Sequence, residues 1–431
     1  MKHKKIMLSI LIVALIATFY GCGQQETVND TPLNKSDDIL YGEAVDGDGY
    51  DYDGRGDEYA EPAAGAYDTA PASTTNPAAT FDPSSEVSEP PTQPPAAGQL
   101  TAGVWDDNDN WGFFTNLVNT DLISFPSYGI DPCFRTVVNV KDSEGKPLPN
   151  AFVSLLDSKN NTLWTSLTDK NGIAYLFAPE GNEGVSAEIE LDGQKQTCEI
   201  QKANNNSQSD SKSSDSVTEV TFDSKENLYK KTDIMFILDA TGSMSDEMLF
   251  LQSEFTAITD KLGTDNTRYA VNFYRDEGDE YVTKCNSFTS NIKDLQNALN
   301  AESAQGGGDT PEAVADILKE SIFESDWDEQ SVKLAFLIFD APPHYGTEDT
   351  INSAIKEASA KGIHIIPVVS SNSERETELF GRALAITTNG KYVFLTDDSG
   401  IGDSHLEPII GYYEVQSLYD IIIDIVNEYK Q

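Results

Sequence analysis

The period of the hydrophobic pattern changes several times along the 431-residue chain. A continuous apolar run at 6–19 follows Lys2, Lys4 and Lys5 and precedes Gly21-Cys22. So short a run with a basic start reads as an export signal rather than a folded element. From 23 to 99 large apolar side chains nearly vanish, and Pro, Gly and acidic residues dominate. Such a composition cannot offset the entropy of ordering, so it predicts a disordered, self-repelling stalk, stiffest near Pro90-Pro91 and Pro94-Pro95. Apolar groups return at 100–131, with Trp105, Trp111, Phe113, Phe114 and Leu117 around the polar turn Asp106-Asp107-Asn108-Asp109-Asn110. That pattern predicts a short packed segment whose turn caps a helix.

Between 132 and 223 the period becomes two. β-rich runs at 134–141, 151–157, 162–168, 173–177, 185–191, 194–200 and 217–222 alternate with turn residues such as Asn171-Gly172 and Asp192-Gly193. Strands this short and this closely spaced predict a small all-β sandwich. From 229 onward, apolar strands at 233–238, 269–274, 332–339, 363–369 and 391–395 alternate with amphipathic stretches of helical spacing. This predicts an α/β doubly wound, mostly parallel sheet, in which ligands bind at the carboxyl edge of the strands.

The charge balance narrows the function. With 29 Lys+Arg against 72 Asp+Glu the formal charge is −43, which excludes nucleic acid and anionic membrane surfaces as partners. Four cysteines are present: Cys22, Cys133, Cys198 and Cys285. An exported chain permits disulfides, and the expected pair is Cys133 with Cys198, which bracket the β-rich segment, leaving Cys285 a buried free thiol. Within the stalk, Arg55-Gly56-Asp57 and the Asp46/Asp48/Asp51/Asp53 run read as solvated charge, because no bidentate Glu completes a calcium loop.

The candidate chemistry lies where strands end. After 233–238 comes Asp239-Ala240-Thr241-Gly242-Ser243, whose alternate oxygens can surround one hard cation. A glycine-rich loop, Gly306-Gly307-Gly308-Asp309-Thr310-Pro311-Glu312, precedes a helix expected to open at Pro311, with Glu312 as a first-turn acid facing the helix dipole. Asp340 ends a third strand, and His344 follows at the rim. Either Asp309 or Thr310 can serve from the second loop. A third carboxylate there would leave a divalent ion's site at −1, tightening metal binding and weakening attraction for acids.

Three resemblances follow from these residues. The apolar run ending in Gly21-Cys22 resembles a bacterial lipoprotein signal, implying acylation of Cys22 and an extracytoplasmic, lipid-anchored protein. The run from Val140-Lys141-Asp142 through Pro147-Leu148-Pro149-Asn150-Ala151 to Thr168-Asp169 and Asn171-Gly172 resembles the transthyretin-like sandwich found as the regulatory module of carboxypeptidases. The three oxygen-bearing loops from 229 to 431 resemble the von Willebrand factor type A family and its metal-ion-dependent adhesion site. That resemblance implies Mg²⁺, Mn²⁺ or Ca²⁺ held by Asp239 through water, by the hydroxyls of Thr241 and Ser243, by Asp309 or Thr310, and by Asp340 through water. It also implies a vacant position for a protein or peptide ligand's acidic side chain.

Enzyme chemistry finds little support. The histidines show no metal-ligand spacing, and neither a Gly-x-Ser-x-Gly elbow nor a phosphate loop occurs. The expectation is therefore metal-dependent binding. An accessory role in assembling a cell-envelope complex and, less well supported, a hydrolase are the alternatives.

Overall fold

A computed structural model describes residues 100–120, 122–123, 130–179, 181–201, 217–224, 228–308, 310–400 and 404–430. The expected signal, the acylated Cys22 and the stalk lie outside these residues, as does the Asn/Ser-rich stretch at 204–216 apart from its surroundings.

The chain begins with β1 (Thr101–Trp105) and α1 (Trp111–Asn119). Seven short strands follow: β2 (Ile130–Lys141), β3 (Phe152–Leu156), β4 (Thr162–Leu167), β5 (Ile173–Pro179), β6 (Ser186–Leu191), β7 (Gln194–Glu199) and β8 (Val217–Thr221). The α/β part then runs β9 (Lys231–Asp239), α2 (Ser245–Leu262), β10 (Thr267–Tyr274), β11 (Thr283–Lys284), α3 (Ile292–Asn300), α4 (Val314–Phe323), β12 (Ser331–Phe339) and α5 (Glu348–Lys361). It closes with β13 (Ile363–Val369), α6 (Arg375–Thr387), β14 (Tyr392–Thr396), β15 (Gln416–Ser417) and α7 (Leu418–Lys430).

The main sheet has eight strands in the order β11-β10-β9-β12-β13-β14-β1-β15. Its five central strands, β10, β9, β12, β13 and β14, pair in parallel, and the outer pairings are antiparallel. Central strands covered on both faces must be apolar throughout, and β9 and β12 are buried along nearly their whole length. Alternate residues serve opposite faces. Ile234, Phe236 and Leu238 of β9 join the core under α2, α3 and α7, whereas Met235 and Ile237 join the core under α4, α5 and α6.

The start of the segment at 100–131 packs into the main sheet. Strand β1 inserts between β14 and β15, with Ala102 opposite Leu395 and Trp105 opposite Tyr392. The polar turn after it does lead into a helix, but Asn110 makes no side-chain cap to α1. Its acids do other work. Asp106 Oδ1 accepts from the backbone N–H of Asn108 and Asp109, and Asp107 meets the guanidinium of Arg382 at 2.7 Å.

The β-rich segment forms two smaller sheets, β5-β2-β8 and β4-β3-β6-β7. Their buried residues share one apolar cluster with the face of the main sheet that carries α4 to α6. Trp164 of β4 is 2% exposed and donates its Nε1–H to Ser359 Oγ of α5 at 2.9 Å, tying the small sheets to the large one. Burial of such a side chain is worth about 1.5–3 kcal/mol.

Two expectations about thiols are corrected. Cys198 is a free, half-buried thiol on the edge strand β7, while Cys133 belongs to β2 in the other small sheet, so the expected Cys133–Cys198 bridge is not formed. Cys285 is free as expected but exposed rather than buried, with its thiol donating to Glu320 at 3.4 Å. It lies just beyond the two-residue edge strand β11.

Candidate metal centre

Strands β9 and β12 are parallel neighbours, so their carboxyl ends deliver Asp239 and Asp340 to the same edge. The chain then turns sharply after Asp239. One carboxylate oxygen, Oδ1, accepts from Thr241 N–H at 2.9 Å and from the Thr241 hydroxyl at 2.7 Å. Thr241 Oγ1 and Ser243 Oγ stand 3.3 Å apart, and the Ser243 hydroxyl favours the ionised form of Asp340, which lines the same cleft. The alternate-residue spacing of Asp239, Thr241 and Ser243 therefore does converge, and Asp340 joins it.

The glycine-rich loop lies directly on this turn. Gln305 N–H donates to Ala240 O at 2.9 Å and Gly242 N–H to Gly306 O at 3.2 Å. At Gly307, whose φ is +66°, a Cβ would stand 3.1 Å from both Thr241 and Glu312, so a side chain there would be both crowded and strained. Thr310 is exposed and lines the cleft together with Thr241, Ser243, Glu312, Asp340 and Asn372. Asp309 lies outside the described residues.

Glu312 is the correction that matters. Helix α4 begins at Val314, later than Pro311, because Glu312 N–H donates to Pro342 O at 3.1 Å and bridges the glycine loop to the Asp340 loop. Glu312 is thus no first-turn acid. It is 4% exposed, and one ligand atom from each of Asp239, Glu312 and Asp340 lies within 4.8 Å of the others. The only advance signal was an acid placed two residues beyond Thr310 in a loop that glycines bring close.

The electrostatics show what is missing. Asp239 Oδ2 and Glu312 Oε2 are buried and accept no hydrogen bond, and neither does Oε2 of nearby Glu247, whose other oxygen is held by Ser371. Burial first, and then the charge of Asp239, push both Glu312 and Asp340 well above the usual carboxylate range. Beneath them burial, with Asp239 and Glu312 adding to it, drives the Tyr274 phenol up as well. Buried acids are normally paired, and orphaned oxygens are rare. A hard divalent cation fits this donor set: it would satisfy the orphaned oxygens and cancel the repulsion in one step.

A second layer steadies the loops and was not foreseen. His344, expected as a rim residue, holds Asp276 through Nε2 at 2.6 Å and is partly buried. Asp279, in the same β10–β11 loop, accepts from Gly307 N–H at 2.9 Å. The β10–β11 loop thereby braces both the glycine loop and the Asp340 loop.

Comparison with known proteins agrees with this geometry. Residues 233–404 match the family model of the von Willebrand factor type A domain. A protein of Acanthamoeba polyphaga mimivirus that carries the description ariadne-like RING finger protein is 25% identical over 190 residues, covering 38% of this chain and 18% of that protein. The chain therefore spans under a fifth of that relative's length. Sheet order, three oxygen-bearing loops at one edge, and the match over 233–404 agree with one another: this part of the chain is similar to a von Willebrand factor type A domain.

Proposed function

We propose that this protein is a divalent-cation-dependent binding module that captures a protein ligand at the cleft between Asp239, Ser243, Glu312 and Asp340. One observation carries the reading: three buried carboxylates meet within 4.8 Å, and among the described residues no Lys or Arg pairs with them. Asp239, Glu312 and Asp340 would hold the cation, with the hydroxyls of Thr241, Ser243 and Thr310 around it. The bound cation supplies a coordination position that an oxygen of the ligand can fill. Three carboxylates against a double positive charge leave −1, so the site favours a neutral oxygen donor over an acidic side chain. Glu312 can thus supply a third carboxylate to the site, beside whichever of Asp309 and Thr310 serves from the same loop.

The same reading makes the protein a non-catalytic, extracytoplasmic lipoprotein, anchored through Cys22 and standing on its acidic stalk, with the small sheets as a transthyretin-like spacer. The basic, apolar and Gly21-Cys22 pattern supports the anchor. Calorimetric titration of the full chain with Mg²⁺, Mn²⁺ and Ca²⁺, wild type beside Asp239→Ala, tests the proposal. Saturable binding lost in the variant is expected; equal heats from both would remove the metal from the function.

A further inference from the structure

The opposite edge of the main sheet, where its parallel strands begin, meets the small sheets around a cavity of about 150 Å³. Leu167, Leu228, Tyr229, Val332, Lys333 and Tyr429 are among its walls. A space of this size holds a benzene-sized body.

Its charged groups are not equivalent. Asp106 and Asp169 border the cavity, but each spends an oxygen on two backbone N–H groups of its own turn. Lys391 is paired with Glu428 at 2.7 Å, Lys170 donates to Glu428 O, and half-buried Lys430 reaches Thr267 Oγ1 at 3.4 Å. Lys333 differs from these in the depth of its burial. It is 4% exposed, its Nζ makes one hydrogen bond, to Ser331 O at 3.0 Å, and it stands 5.5 Å from the centre of the Tyr229 ring. Among the described residues it has no carboxylate in ion-pair contact. An ammonium carries three donors, and a buried cation without an anion is costly. That cost shows as a fall in its pKa to about 8, caused by burial.

We propose that this cavity is a second ligand site, independent of the metal centre, which takes a small single-ring carboxylate with its anionic end on Lys333 and its ring against Tyr229, Leu228 and Leu167. An amine-bearing ligand is disfavoured, because Asp109 is exposed and Asp106 and Asp169 each already accept two backbone N–H bonds, while Lys333 is buried with donors to spare.

The test titrates the full chain with benzoate, benzyl alcohol and benzylamine by calorimetry in EDTA. Benzoate should bind at least about tenfold more tightly than either analogue, the worth of a hydrogen bond to a charged group. Lys333→Met should lose that margin and Lys333→Arg should keep it. Reductive methylation of the wild-type protein, read by mass spectrometry, guards against a variant that fails to fold. Benzoate should slow labelling of Lys333 but not of exposed Lys159. Equal binding of the three probes, tightest binding of benzylamine, or no protection of Lys333 would each overturn the proposal.

Discussion

The molecule buries two groups of acids in different ways. Asp107, from the turn after β1, and Glu378, from α6, are both almost wholly enclosed, and both contact Arg382, which is itself 0% exposed. Asp239, Glu312 and Asp340 are enclosed nearly as well, yet among the described residues no basic side chain joins them. Burial of charge is therefore common to both groups, and only the countercharge differs. Where the chain supplies its own cation, the result is a lock that fastens the β1 turn onto α6. Where it withholds one, repulsion is left for something from outside to relieve.

The largest effect should come from opening the lock. Arg382→Met leaves buried Asp107 without its countercharge and Glu378 with Arg375 alone, and should cost about 3–5 kcal/mol in urea unfolding. A loss below about 1 kcal/mol would erase the contrast between the two groups. Asp239→Asn should behave in the opposite sense. Metal affinity by calorimetry should fall by more than the ~100-fold typical of lesser, outer-shell changes. Stability in EDTA should hold or rise, because one of three repelling acids is gone. A drop in EDTA stability would instead place Asp239 with the structural acids.

Glu312→Gln sharpens the same comparison at lower amplitude. Metal affinity should weaken by roughly tenfold, while an acidic peptide, presented with saturating metal, should bind more strongly as the net charge moves from −1 to zero. Unchanged values for both would remove Glu312 from the site. The smallest effect concerns His364, whose Nδ1 donates to the carbonyls of Thr388 and Asn389 at 3.1 and 2.8 Å. Burial lowers its pKa from 6.5 to about 4, so the folded protein favours the neutral ring. This contribution to stability is present above pH 6.5 and is lost as pH falls from there toward about 4. In pH-dependent unfolding, His364→Gln should flatten the slope over that interval by up to about one proton. An unaltered slope would show that the ring is not held neutral.

Much of the architecture was legible because it rests on local pattern. Nearly continuous burial in β9 and β12 and helical spacing in α2, α5 and α7 appear directly in the residue order. Asp239, Thr241 and Ser243 were legible for the same reason, since they belong to one turn. Glu312 was not. Its position depends on a backbone hydrogen bond to Pro342, thirty residues away, which delays the start of α4 and turns the acid inward. Nor was the place of β1, whose five residues carry no sign that their partners are Tyr392 to Thr396.

The sequence by itself determined the order of strands and helices, the acidic character of the chain and the first oxygen-bearing turn, because each depends on neighbours in the chain. Only the tertiary structure decided which buried acids receive a cation from within and which do not. That outcome depends on which side chains distant segments bring within a few ångströms of one another, and Coulomb energy at that range is set by position in space rather than by distance along the chain.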